Sequence, residues 1–252
     1  MTSIELNSNI NPDNKSVDIL SDKIEQIKLG EQKQDDKVNI IKPDYSNILY
    51  YKLALDSKDI LDLLKKHGID YLNKSDNLEI FSKFSKEINN LKLTDTFVII
   101  SIQDSTHLYL LNNEFHITLF YNGGKTDKIN CDKSDELEKI LNSNIKITLE
   151  KITISSDFIT IRVGSIRNGN GNENGNENGN ENEKSNGNED FDIPYYGNPI
   201  MHITIGLSKT TGKKLQPANS PKAFEAPEQE RKDILINPST NSIIGIVKKV
   251  TK

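Results

Sequence analysis

The chain has 252 residues, a formal net charge of −5 and 34% apolar residues. Its one cysteine, Cys131, excludes an internal disulfide, and no stretch approaches the roughly 18 apolar residues that a membrane-spanning helix needs. The first residues contain neither a basic region nor an apolar run of signal-peptide length. We therefore expect an intracellular protein, cytoplasmic or nuclear, without a membrane partner.

Two polar segments account for the net negative charge of the chain. Residues 1–45 hold nine acidic residues and six lysines, and residues 168–190, an Asn-Gly-Asn-Glu repeat, hold six acidic residues and one lysine. Neither segment can bury enough apolar surface to offset chain entropy. We predict a disordered tail at 1–45 and a loop insert at 168–190 that acts only as a spacer. The remaining residues carry a net charge of +3. This charge suits a phosphate-bearing ligand but is too small for a protein that binds along duplex DNA.

Apolar periodicity predicts several strands and a few helices after the tail. Alternating or β-branched runs indicate strands, and apolar residues at helical spacing behind an Asp or Ser cap indicate helices. Most neighbouring strands should pair antiparallel, which gives an α+β fold. In chain order we predict a strand at 48–55, helices at 57–67 and 78–91, strands at 96–102 and 115–121, a helix at 132–141, a hairpin of 145–154 with 158–166, a strand at 199–207 and a closing hairpin of 231–236 with 242–249.

Two of the predicted strands carry the same tetrapeptide pattern. The copies are His116-Ile117-Thr118-Leu119 and His202-Ile203-Thr204-Ile205, 86 positions apart. Because side chains at i and i+2 leave a strand on the same face, each copy presents an imidazole beside a hydroxyl. One imidazole can take a proton from an attacking water while the other protonates a leaving oxygen, and hydroxyls can donate to phosphate oxygens. We therefore predict that both strands face one groove.

The paired motifs resemble the signature strands of the 2H phosphoesterase superfamily, in which each of two pseudo-symmetric lobes supplies a His-x-Thr or His-x-Ser. The resemblance covers residues 46–252. The second motif and the segment 216–220 are most similar to the cyclic phosphodiesterase domain of fungal tRNA ligases. The chain departs from that pattern after Gly206, where Leu207 precedes Ser208 instead of a hydroxyl residue following the glycine directly.

The resemblance implies two lobes of mostly antiparallel sheet with flanking helices and a central groove that carries both motif strands. It also implies hydrolysis of a 2′,3′-cyclic phosphate, at an RNA 3′ end or on a nucleotide, to a 2′-phosphate. His116 and His202 are then acid and base, with His202 slightly favoured as the base, and Thr118 and Thr204 bind the phosphate. We expect neither cofactor nor metal, because four dispersed histidines and one cysteine lack metal-ligand spacing.

Further candidates follow or precede the motif strands closely in sequence. Tyr121, Lys125 and Lys209 are predicted to line the groove, where a tyrosine can stack on a base. The pair Tyr195-Tyr196 is interpreted as an apolar anchor for the insert, with a lid as the alternative. His107 is expected in a turn near the first motif strand.

Three functions are open at this point. The favoured one is a metal-independent phosphodiesterase acting on 2′,3′-cyclic phosphates, and the second is the same site acting on a 2′-5′ linkage or a cyclic dinucleotide. The third is a nucleotide or RNA-end binding module without turnover, against which the two intact His-Thr pairs argue. We expect a stand-alone enzyme and not a complete ligase, since the chain contains neither a Lys-x-Asp-Gly motif nor a phosphate-cradling P-loop. We expect it to be a monomer.

Overall fold

One long antiparallel sheet dominates the described part of the chain, which comprises residues 43–73, 84, 92, 94–168 and 193–252 of a computed structural model. Residues from Asp44 onward belong to one compact unit. The tail predicted at 1–45, the helix at 78–91 and the insert at 168–190 fall wholly or mainly outside the described residues. The strands are β1 (Ile48–Leu55), β2 (Tyr71–Asn73), β3 (Thr96–Ile102), β4 (Ser105–Leu111), β5 (His116–Tyr121), β6 (Asn144–Ser155), β7 (Phe158–Asn168), β8 (His202–Ser208), β9 (Arg231–Leu235) and β10 (Ser242–Thr251).

Two α-helices and two 3-10 helices accompany these strands among the described residues: α1 (Ser57–Lys66), α2 (Lys128–Glu138), and 3-10 helices at Pro217–Phe224 and Glu228–Glu230. Helix α1 begins as predicted, because the Asp56 side chain accepts a hydrogen bond of 2.8 Å from the backbone N–H of Lys58. It ends before Gly68, whose φ of 74° is a left-handed conformation that glycine adopts without strain. No helix in the described ranges is both long and apolar enough to span a bilayer.

The sheet order places the two motif strands far apart along the hydrogen-bonded ladder. The order is β2-β3-β4-β8-β7-β6-β10-β1-β5, with β9 added beside β6, and every described pairing is antiparallel. Strand β8 is internal, whereas β5 ends the order beside β1. Residues of β5 and β8 nevertheless come within 8 Å of each other between Cα atoms, because a long sheet twists and coils. The predicted α+β fold of mostly antiparallel sheet is confirmed.

Alternation along the motif strands decides which side chains enter the core. Ile117, Leu119, Ile203 and Ile205 are almost completely buried, so these four positions face the interior. The intervening histidines and threonines therefore leave the opposite face of each strand. The period-2 prediction holds for both motifs, and it fixes the direction in which the polar side chains project.

The predicted closing hairpin of 231–236 with 242–249 is wrong. Both strands pair with β6, one after the other: Ser242–Ile246 lies along the first half of β6, and Arg231–Leu235 lies along its second half. Strand β6 has 12 residues, so its one edge accommodates two shorter strands in tandem. On its other edge, β10 pairs with β1 from Gly245 to Thr251.

The segment before the first motif also differs from expectation. His107 lies within β4, paired with Ile100 of β3, and not in a turn. The chain reverses earlier, at Gln103, which has a φ of 52°, so that Ser105 already pairs with Ile102.

The helix predicted at 132–141 begins earlier in the structure, because Asp127 caps it. The hairpin of β6 with β7 was predicted correctly.

Candidate active site

A cavity of about 640 Å³ lies where the two motif strands approach each other. Its lining includes all four motif side chains: His116 and Thr118 from β5, and His202 and Thr204 from β8. The sequence predicted one groove for both pairs, and the bend of the sheet brings the pairs together there. The two halves of the cavity are not equivalent in their hydrogen bonds.

The His202 imidazole is oriented by the backbone. Its Nδ1 lies 2.8 Å from the carbonyl oxygen of Ile200. A carbonyl oxygen only accepts, so in the neutral ring Nδ1 carries the proton and Nε2 is left with a lone pair. Burial lowers the pKa of His202, while the bond to Ile200 acts in the opposite direction. This ring therefore suits proton acceptance at Nε2.

The hydroxyl of Thr204 is held by the 3-10 helix Pro217–Phe224. Its Oγ1 donates to the carbonyl oxygen of Pro217 at 3.3 Å and lies 2.6 Å from Oγ of Ser220. Because the proton of Thr204 goes to Pro217, Ser220 is the donor in the shorter bond. Ser220 is completely buried. The segment 216–220, which carries part of the family resemblance, thus fixes the side chain of the second motif.

The His116 imidazole has no comparable anchor. Its Nδ1 is buried without a hydrogen-bond partner among the described residues, and its ring stacks on Tyr50 with centroids 5.9 Å apart. Burial is the main cause that lowers the pKa of His116; Lys52 and His202 lower it further and Glu114 raises it. A buried Nδ1 without an acceptor favours the tautomer whose proton is on Nε2. The two imidazoles therefore have complementary preferences in their neutral forms.

Four aromatic side chains form one wall of the cavity: Phe120, Tyr121, Tyr195 and Tyr196. The N–H of Tyr196 donates to the carbonyl oxygen of Leu119 at 2.7 Å, so this segment runs along the free edge of β5. The rings of Tyr196 and Phe120 meet edge to face, and the Tyr196 hydroxyl donates to Glu136 of α2. The Tyr195-Tyr196 pair is thus anchored to β5 and α2 and also lines the cavity.

Gly197 allows the close approach of this segment to β5. A Cβ atom at this position would lie 2.5 Å from the carbonyl oxygen of Thr118. No side chain can be accommodated at that distance without moving the backbone, so glycine is required here. The wall of the cavity therefore depends on a residue with no role in the chemistry.

The other predicted lining residues separate into two groups. Tyr121 lines the cavity and is 68% exposed, which leaves its ring free to contact a ligand. Lys125 and Lys209 are not among the lining residues; Lys209 lines a separate depression of about 190 Å³ formed by the end of β8 and the loop that follows it. His107 lies within hydrogen-bonding distance of Thr210, at 3.4 Å, and does not line the cavity either.

Several lining residues were not predicted from the sequence: Asn112, Asn113, Glu114, Phe120, Asn198, Pro217 and Ala218. Glu114 carried a signal in the sequence, where the polar–apolar alternation of the first motif extends back through Phe115, although β5 itself begins only at His116. The asparagines carried none, since they lie in connections whose course depends on the strands they join. Within the described ranges, no group of three or more His, Cys, Asp or Glu side chains is placed to hold a metal ion.

No protein-family model matches the chain, and no curated protein matches it. A solved structure titled "Crystal Structure of Fungal RNA Kinase" is similar over 92% of this chain, at 18% sequence identity and a TM-score of 0.39. The chain spans 57% of the length of that protein. This similarity is distant and does not indicate what the cavity does.

Proposed function

We propose that the protein is a metal-independent phosphodiesterase of the 2H type that opens a 2′,3′-cyclic phosphate, at an RNA 3′ end or on a nucleotide, to a 2′-phosphate. The observation that carries the proposal is the single cavity lined by His116, Thr118, His202 and Thr204. Two imidazoles and two hydroxyls that converge on one space are the groups that in-line hydrolysis of a cyclic phosphodiester requires.

The hydrogen bonds around the imidazoles support His202 as the base. With Nδ1–H directed at Ile200, Nε2 can take the proton from a water that attacks phosphorus. The bond from phosphorus to the 3′-oxygen then breaks, and protonated His116 gives its proton to that oxygen. The product is a 2′-phosphate with a free 3′-hydroxyl, and the two histidines have exchanged protonation states.

The two threonines are assigned to the phosphate. Negative charge accumulates on the non-bridging oxygens as water adds, and fixed hydroxyl donors stabilise it. Thr204 is already oriented by Ser220 and must redirect its own proton from Pro217 to the substrate. The bond to Pro217 is long, at 3.3 Å, so its loss costs little.

The wall of the cavity supports a nucleoside as the rest of the substrate. The aromatic rings provide flat surfaces on which a base can stack, and three lining asparagines supply both donors and acceptors for its edge. A volume of about 640 Å³ is within the usual range for small-molecule sites. A bare cyclic phosphate would leave this wall without a contact.

The proposal is tested first by incubating the purified protein with an oligoribonucleotide that ends in a 2′,3′-cyclic phosphate. We expect only the 2′-phosphate as product, and the same rate with and without EDTA, because both proton transfers are assigned to imidazoles. Formation of the 3′-phosphate, or inactivation by EDTA, contradicts the mechanism. If no opening occurs, 2′-5′-linked oligonucleotides and cyclic dinucleotides are the next substrates to test.

The pH dependence follows from the burial of both imidazoles. Burial lowers the pKa of His202 and of His116 from the ordinary value of 6.5. The base must be neutral, so activity is lost below the pKa of His202; the acid must be protonated, so activity is lost above the pKa of His116. We expect kcat/KM to be maximal below pH 6.5.

A bound phosphate anion raises the pKa of His116 in the enzyme–substrate complex. The alkaline limb of the kcat profile should therefore lie at higher pH than the alkaline limb of the kcat/KM profile. A kcat/KM that still rises above neutral pH contradicts this assignment.

A further inference from the structure

The strand beside the first motif contains a buried lysine. Lys52 of β1 is 5% exposed, and its Nζ lies 2.6 Å from Oε2 of Glu114. Burying an ammonium group is costly unless it is paired. Its partner is on the rim of the cavity, with a side chain that is 69% exposed. The cost of removing the ammonium group from water offsets much of the attraction within such a pair, so the pair is weak evidence for a stabilising role. The presence of a charge at this position is left to be explained.

The β1–β5 register places Lys52 beside the first motif. Lys52 is directly opposite Thr118, and opposite residues of an antiparallel pair project from the same face with Cβ atoms about 5 Å apart. Thr118 lines the cavity. The four-carbon stem of a lysine lets Nζ reach a phosphate oxygen that is hydrogen-bonded to the hydroxyl of Thr118.

The charge of the cavity lining makes this position significant. The described residues that line the cavity include no lysine or arginine, and Glu114 is the one carboxylate among them. A phosphate in such a cavity would meet a negative group, and the only positive charge in the described lining would be that of His116 in its protonated form. Lys52, hydrogen-bonded to Glu114 immediately behind the lining, is placed to supply a fixed positive charge.

The electrostatics of the neighbouring imidazole agree with this position. After burial, which has the largest effect, Lys52 lowers the pKa of His116 and Glu114 raises it. The hydrogen bond from Lys52 also lowers the pKa of Glu114, so the carboxylate stays ionised and holds the ammonium in the free protein.

We propose that Lys52 binds the substrate phosphate, and that Glu114 holds it in place until the phosphate takes over. This inference rests on the proposed function in assigning a phosphate to the cavity. On binding, the ammonium exchanges one anionic partner for another, so the buried charge remains paired throughout. The His116–Thr118 half of the cavity thereby gains a cation, while the His202–Thr204 half relies on hydrogen bonds to the main chain and Ser220.

The test compares binding of adenosine 2′-phosphate and adenosine by titration calorimetry to the full chain. A charge-assisted contact predicts that Lys52→Met weakens binding of the phosphorylated probe by about 10-fold or more and leaves adenosine binding unchanged. Glu114→Gln should tighten binding of the phosphorylated probe, since a competing carboxylate is removed. Lys151→Met is the matched control: Lys151 is also largely buried and paired, with Asp233 at 2.8 Å, but does not line the cavity.

Each outcome separates this inference from the proposed reaction. Wild-type affinity for adenosine 2′-phosphate in Lys52→Met overturns the role of Lys52, even if the protein opens cyclic phosphates. Lys52-dependent binding by a protein that opens no cyclic phosphate supports the role of Lys52 and overturns the proposed reaction. Circular dichroism shows whether Lys52→Met folds. If it does not, Glu114→Gln provides the test, because the exposed side chain of Glu114 tolerates the change. Unchanged or weaker binding of adenosine 2′-phosphate by Glu114→Gln overturns the inference.

Discussion

Replacement of either His116 or His202 by alanine is expected to lower turnover of a 2′,3′-cyclic phosphate by at least about 10²-fold. Each imidazole transfers a different proton, so neither can substitute for the other. Both side chains line the cavity, and neither belongs to the apolar core, so the variants should fold. The measurement is the single-turnover rate for an oligoribonucleotide with a cyclic end, at saturating enzyme.

A third histidine provides the control for these variants. His107 lies on β4, within hydrogen-bonding distance of Thr210 and outside the cavity lining, so His107→Ala should turn over at the wild-type rate. Wild-type turnover in either motif variant would end the two-histidine account. Loss of activity in His107→Ala to the same degree would show that the assay reports general destabilisation.

Replacement of Thr118 or Thr204 by valine has the second-largest expected effect, a loss of roughly 10²-fold in kcat for each. Valine keeps the shape of threonine but removes the donor to the phosphate. The two variants should differ in stability, because Thr204→Val leaves the buried hydroxyl of Ser220 without its 2.6 Å partner. An unpaired buried hydroxyl costs about 1–3 kcal/mol. Thermal unfolding together with kcat distinguishes the two.

The control for the threonine variants is a hydroxyl outside the cavity. Thr153 donates to Asp233 at 2.6 Å and does not line the cavity, so Thr153→Val should lose stability but keep kcat. Equal stability of the Thr118 and Thr204 variants would contradict the role given to Ser220. Wild-type kcat in Thr118→Val would remove that residue from the phosphate site.

The strands that sequence reasoning located best are those with local, strict patterns. The bounds predicted for β1 and β3 agree with the structure, and the β6–β7 hairpin turns between the two strands predicted at 145–154 and 158–166. These elements combine β-branched runs with a short polar turn, and both signals lie within a few residues. The burial of Ile117 and Ile203 likewise followed from alternation alone.

The strands that were misplaced depend on distant partners. Arg231–Leu235 and Ser242–Thr251 are close in sequence, which favoured a hairpin, but both pair with the 12-residue β6 and not with each other. His107 was expected in a turn, at the end of the run Asp104-Ser105-Thr106-His107, whereas β4 already begins at Ser105. In both cases the outcome depends on which strand edge is available, and a local pattern does not contain that information.

For the candidate site, the sequence by itself determined that two His-Thr pairs project from strand faces opposite to the core, because the side-chain period of a strand is a local property. The tertiary structure alone decided that both pairs line one cavity, that Ser220 and Ile200 fix the second pair, and that Lys52 is beside the first. Lysines 125 and 209 follow the motifs in sequence yet lie outside the lining, while Lys52 precedes the first motif by 64 positions and is opposite Thr118. The physical reason is that strand register and sheet curvature are set by packing among many strands at once, so proximity in space does not follow from proximity along the chain.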